Sequence, residues 1–110
     1  MRFGLKDQVI QQICTVLSHY PTVEQGVLYG SRAKGCHKPG SDIDLSLQGD
    51  TISAQDRDRI ILALDDLDLP YTFDVNLFRQ ISNEELRDHI ERVGVVLYQR
   101  GKGISEEGVA

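Results

Sequence analysis

Apolar residues near the start of the chain fall at helical spacing. Leu5, Val9, Ile10, Ile13, Val16 and Leu17 line one side of a 3.6-residue repeat, which predicts an amphipathic helix ending before Pro21. Val27-Leu28-Tyr29 is a short apolar run between Gly26 and Gly30 and predicts a buried strand. Periodicity is lost from Ser31 to Ser41, a predicted loop with room for one helical turn at its start. From Asp42 to Leu47 the period becomes two, with Ile43, Leu45 and Leu47 on one side and Asp42, Asp44 and Ser46 on the other. That alternation predicts a second strand. Ser53, with Asp56 near the third helical position, caps a second helix whose stripe is Ile60, Ile61, Leu64 and Leu67.

After Pro70, Tyr71, Phe73, Val75 and Leu77 alternate with Thr72, Asp74 and Asn76, a third strand. Ser82-Asn83-Glu84-Glu85 reads as a capping box, Leu86, Ile90 and Val93 as the stripe of the next helix, and Gly94 as its C-cap. Val95 to Tyr98 is the fourth strand. The order predicts an α/β (α+β) domain, a small mixed β-sheet with helices packed on one face. The polar face of the second and third strands is left available for chemistry.

Composition narrows the class. At 110 residues there is room for one domain, expected over 1–99. A Gly- and Glu-rich flexible tail is expected over 100–110. A net charge of −5 excludes a broad basic surface for duplex nucleic acid, so no direct nucleic-acid binding is expected. Cys14 and Cys36 are too few for a disulfide scaffold or a cysteine-rich zinc site. No signal segment or membrane span is visible, so a cytoplasmic protein with reduced thiols is expected.

The unusual chemistry begins with Asp42 and Asp44. Two residues apart on a strand, they point the same way, their Cα atoms roughly 6.7 Å apart. Like charges so placed repel, and a strand disfavours aspartate in any case. A hard divalent cation such as Mg²⁺ removes that repulsion and completes its shell with water and phosphate. Asp74, on the polar side of the next strand, can join them if the strands are neighbours. Three carboxylates suffice for two metal ions.

The loop Gly30-Ser31-Arg32-Ala33-Lys34-Gly35-Cys36-His37-Lys38-Pro39-Gly40-Ser41 precedes these acids. Between Ser31 and Ser41 it carries three Lys/Arg and no Asp/Glu, and its backbone N–H groups could cradle phosphates. Cys36-His37 stands where a Walker A loop needs Lys-Ser/Thr, which rejects that motif. The same pair has no partners in sight for a soft metal. His19 and His89, near helix ends, are expected at the surface, and Cys14 in the core. Asp65, Asp66 and Asp68 are expected on a solvated helix face. Tyr98 ends a strand and belongs either to core or to interface.

Gly30-Ser31, ten intervening residues and then Asp42-Ile43-Asp44 resemble the motif of the minimal nucleotidyltransferases of the polymerase-beta-like superfamily. Leu28-Tyr29-Gly30-Ser31-Arg32-Ala33-Lys34-Gly35 and Gly40-Ser41-Asp42-Ile43-Asp44-Leu45 carry the likeness, with Asp74 in Phe73-Asp74-Val75 as the matching third acid. The resemblance implies a small nucleotidyltransferase core, ATP as donor and Mg²⁺ as cofactor. Domains of this size resemble MntA-type antitoxins of HEPN/MNT toxin–antitoxin pairs, which place AMP on a tyrosine of a HEPN ribonuclease toxin.

On that reading Gly30 and Ser31 approach the triphosphate, Asp42 and Asp44 hold the metals, and Asp74 completes the site and accepts the proton of the attacking hydroxyl. Lys38 and Ser41 are expected on the phosphates. Arg79 either does the same or covers the sheet end. The chain stops twelve residues after its fourth predicted strand, so the acceptor is expected on another protein, the cognate HEPN toxin. Two alternatives remain at this stage: the catalytic subunit of an aminoglycoside-like nucleotidyltransferase, and an antitoxin that neutralises by binding alone.

Overall fold

A computed structural model describes residues 2–36, 38, 40–101 and 103–104. Helix α1 (Asp7–Ser18) leads into strand β1 (Gln25–Tyr29) and a single-turn helix α2 (Ser31–Lys34). Strand β2 (Ile43–Gln48), helix α3 (Ala54–Asp65) and strand β3 (Phe73–Leu77) follow. A 3-10 turn (Phe78–Gln80), helix α4 (Glu84–Val93), strand β4 (Val95–Gln99) and the two-residue strand β5 (Gly103–Ile104) complete the order.

The strands form one mixed sheet in the order β3-β2-β1-β4-β5, with β2 and β3 parallel and the other pairs antiparallel. The parallel pair requires a crossover, which α3 supplies. Inward residues Leu28, Leu45, Val75 and Leu77 meet Ile10, Ile13 and Leu17 of α1 and Ile60 and Leu64 of α3 in the main core. Tyr98 and Cys14 join it, and the Cys14 thiol donates to the Leu97 carbonyl.

After β3 the chain has to return across the sheet, because β4 pairs with β1 rather than with β3. It does so over the second face. There Ile90 of α4 packs on Val27 and Tyr29, with Leu86, Val96, Phe78 and Ile81 around them. The expectation that helices share one face therefore holds for α1 and α3, while α4 occupies part of the polar face.

Local signals fare unevenly. The Ser53–Asp56 capping box forms as expected, each side chain bonded to the other residue's backbone N–H. The box expected at Ser82 does not, since Asn83 is the N-cap and accepts from Leu86 N. Gly94 does close α4, but in extended backbone, at φ −65° and ψ 145°. Its missing Cβ matters for another reason: a side chain there would strike Val27 and the Ile90 carbonyl. β2 starts at Ile43, one residue later than the pattern suggests, and β3 at Phe73, two residues later. The tail expectation falls partly on residues 105–110, which lie outside the described residues, as does His37. No helix among the described residues is long and apolar enough to cross a membrane.

Candidate functional site

The register of three strands builds the site. Asp44 on β2 stands opposite Tyr29 on β1 and opposite Asp74 on β3. Adjacent strands run about 4.8 Å apart, so two carboxylates face the same way side by side. Asp42 lies just ahead of β2, exposed. Burial, followed by the charges of Asp74 and Asp42, raises the Asp44 carboxyl above the ordinary aspartate range, and the Arg32 cation opposes the rise. Burial and the same acids, Asp74 before Asp44, push the Tyr29 phenol up to about 12. Charge is therefore concentrated where β1, β2 and β3 meet.

Gly30 ends β1 at φ +79°, a backbone conformation that favours glycine. A Cβ there would collide with the Asp44 carboxylate. The motif glycine thus lets the backbone at the start of α2 close onto the acid. Ser31 opens that turn, half-buried.

Three sequence expectations meet different outcomes in the loop. Arg32, counted among the basic residues facing phosphate, is buried at 2% exposure. Its Nε and Nη2 donate to the Ser41 carbonyl at 3.2 and 2.8 Å, and its Nη1 to the Phe3 carbonyl at 2.8 Å. The guanidinium lies over the Tyr71 ring, 5.0 Å from its centroid. It braces the loop exit immediately before Asp42, and among the described residues of the loop Lys34 and Lys38 remain as exposed cations. The Ser41 hydroxyl bonds back on Lys38, accepting from its N–H at 2.9 Å and donating to its carbonyl at 2.7 Å. Lys38 itself is exposed. Arg79 donates to the Ile52 carbonyl and so ties down the segment ahead of α3.

Two residues outside the expected site, Tyr29 and Asn76, meet on this face. The Tyr29 hydroxyl accepts from Asn76 Nδ2 at 2.7 Å, across the intervening β2. His89, expected on the surface, meets the Tyr29 ring edge-on, with centroids 6.2 Å apart and an 81° interplanar angle. The Asn76 position was visible in the alternation of β3, two residues beyond Asp74, but nothing local indicates that α4 returns over this face. His19, Asp65, Asp66 and Asp68 are exposed, as expected.

The acids do not close into a cage. Among the described residues no three His, Cys, Asp or Glu side chains are grouped to hold a metal ion. The donor set still fits a hard divalent cation. It is all oxygen, its members repel one another, and Mg²⁺ is commonly held by one or two carboxylates with water and substrate phosphate completing the shell.

The family model described as "Polymerase beta, Nucleotidyltransferase" matches residues 11–103. No curated protein matches the chain by sequence. A candidate nucleotidyltransferase from Sulfolobus solfataricus shares the fold at TM-score 0.58 and 23% identity, covering 88% of this chain and 83% of its own. A toxin–antitoxin structure with AMP-PNP matches at TM-score 0.65 and 22% identity, over 89% of this chain and 77% of that one. A complex of tri-AMPylated Shewanella oneidensis HEPN toxin with MNT antitoxin matches at TM-score 0.65 and 20% identity, over 89% and 76%.

Proposed function

The chain belongs to the polymerase beta nucleotidyltransferase family, and we propose that it is the antitoxin of a toxin–antitoxin pair, a Mg²⁺-dependent cytoplasmic adenylyltransferase. In this reading it transfers AMP from ATP to a tyrosine hydroxyl of a HEPN ribonuclease toxin and so inactivates it. The observation that carries the proposal is the Asp44–Asp74 register pair with Gly30 closed against Asp44. Structures of the same fold include a tri-AMPylated HEPN toxin in complex with an MNT antitoxin, which supports the choice of acceptor.

Asp42 and Asp44 would hold the cation, with Asp74 completing the set. When bound, Mg²⁺ neutralises triphosphate charge and lowers the pKa of a hydroxyl near it. Gly30 and Ser31 bring backbone N–H groups to the phosphates at the start of α2. Lys38, free in solvent, would reach the same phosphates as a flexible cation, and Ser41 would shape the loop that carries it. Asp74 is exposed and open to an incoming protein side chain. It would take the proton of the acceptor hydroxyl as that oxygen bonds to the α-phosphorus and pyrophosphate departs.

The test mixes the purified partner toxin with ATP, Mg²⁺ and either parent or Asp44→Asn protein, and reads intact mass and ribonuclease activity. Added AMP and loss of ribonuclease activity with the parent alone are expected. Full silencing by Asp44→Asn with no added mass would make the protein a binding module. Modification of an aminoglycoside in place of the toxin would give the small-molecule enzyme.

A further inference from the structure

Arg32 is a cation buried to 2% exposure, and among the described residues no carboxylate forms an ion pair with it. Burying a charge is costly, so stability alone gives little reason to keep one here. Its contacts lie on three segments that frame the acid site. Nε and Nη2 fork onto the Ser41 carbonyl, Nη1 donates to the Phe3 carbonyl, and the guanidinium covers the Tyr71 ring.

Ser41 immediately precedes Asp42, which is exposed and lies outside β2. The residue after Asp42, Ile43, donates to the Thr72 carbonyl at 2.9 Å, where β2 meets the approach to β3. The Asp42 backbone is thus pinned from both sides, by Arg32 at Ser41 and by the strand pairing at Ile43. Tyr71 adjoins Thr72, so the same guanidinium also reaches the lead-in to β3 and Asp74. Phe3 belongs to a tight turn in which Arg2 and Leu5 exchange backbone bonds at 3.0 and 2.8 Å. Phe3 and Gly4 both have positive φ there, 59° and 73°. A phenylalanine in the left-handed region is strained, and such strain persists only where the surroundings fix it. The turn aims the Phe3 carbonyl at the guanidinium.

Resting on the nucleotidyltransferase reading, we propose that Arg32 is a positioning residue for the cation site: anchored on the N-terminal turn and on Tyr71, it holds the Ser41 carbonyl and so sets Asp42 beside Asp44. Loss of support behind a metal ligand typically weakens metal affinity by about 10–100-fold.

The experiment uses calorimetry at a temperature where each variant is folded, as a melting curve shows. The probe is the Mn²⁺ complex of a non-hydrolysable ATP analogue, and the same analogue with chelator is the reference. Arg32→Lys keeps the charge and loses the planar fork. It should bind the Mn²⁺ complex about tenfold more weakly and the metal-free analogue as the parent does. A merely structural role lowers the melting temperature and leaves the affinity of the folded protein unchanged, and that result overturns the proposal. An equal loss for both probes overturns it too, because the effect is then not on the cation site. Should Arg32→Lys not fold, Gly4→Val takes its place. A β-branched residue disfavours the left-handed backbone of Gly4 and so draws the Phe3 carbonyl off Arg32. It must show the same metal-dependent weakening, and unchanged affinity there overturns the proposal. Absence of binding of the Mn²⁺ complex by the parent overturns the nucleotidyltransferase reading and this inference with it, whereas equal binding by parent and variant removes only the role of Arg32.

Discussion

The two faces of the sheet are made from the same strands at alternate residues, yet their energetics are opposed. On one face Leu28, Leu45 and Val75 stand in register across β1, β2 and β3, closed by α1 and α3. On the other, one residue along, Tyr29, Asp44 and Asp74 form the matching row. The first row buries apolar surface and stabilises the fold. The second gathers like charge and raises the Asp44 carboxyl out of its ordinary range, at a cost in stability. A single strand thus serves both purposes, because successive side chains point to opposite faces. Such a row persists where the fold tolerates strain that the other face compensates.

That contrast is most sharply tested at neighbouring residues. Asp44→Asn should reduce nucleotidyl transfer by on the order of a thousandfold or more, since several kcal/mol of charge stabilisation is lost. In metal-free buffer the same variant should melt about 1–5 °C higher than the parent, as the repulsion is relieved. A lower melting temperature in Asp44→Asn would make the acid structural and erase the difference between the faces.

Leu45→Ala, one residue away on the apolar face, should do the reverse. Leu45 is fully buried at 0% exposure, so truncation should cost about 2–5 kcal/mol of unfolding free energy, measured by urea denaturation. Nucleotide binding to the fraction that remains folded should persist.

Gly30→Ala probes the seam between backbone and acid. The positive φ and the collision with Asp44 should together cost roughly 1–2 kcal/mol, with transfer activity falling far more than that loss of stability accounts for. Parallel activity and melting assays would separate the two effects.

The pH dependence has a defined sign. A carboxyl whose pKa is raised on folding binds protons more tightly in the folded state, so its ionisation opposes folding. The penalty is complete above the raised folded value and absent below the ordinary aspartate value of about 3.9. The melting advantage of Asp44→Asn over the parent should therefore be largest near pH 7 and shrink toward zero as pH falls to about 4. A difference constant with pH would remove the electrostatic account.

The smallest effect is expected at Ser46→Ala. Its buried hydroxyl finds no partner among the described residues, so removal should change stability by less than about 1 kcal/mol, or increase it. A loss above about 2 kcal/mol would show that the hydroxyl is satisfied in solution, by a buried water for example.

Much of this arrangement is written locally. Alternation from Ile43 to Leu47 and from Phe73 to Leu77 is enough to divide each strand into an apolar and a polar side, because a period of two has one consistent burial. The Ser53–Asp56 box and the stripe of α1 are likewise decided within a few residues, by hydrogen bonds and spacing that need no distant partner. Gly30-Ser31 and the spaced aspartates were legible for the same reason: their chemistry depends on residue type and short separations. Strand neighbours depend on distant segments. That Asp74 comes to stand beside Asp44 depends on β2 and β3 pairing in parallel, thirty residues apart. The burial of Arg32 depends on Phe3, Ser41 and Tyr71 converging from three parts of the chain. The path of α4 across the polar face, which brings His89 to Tyr29, follows from β4 joining β1 at the far side of the sheet. Sequence alone determined which residues could face one another, because local geometry sets the side of each strand. Only the tertiary structure decided which of them meet, because long-range pairing is selected by burial of the whole core at once.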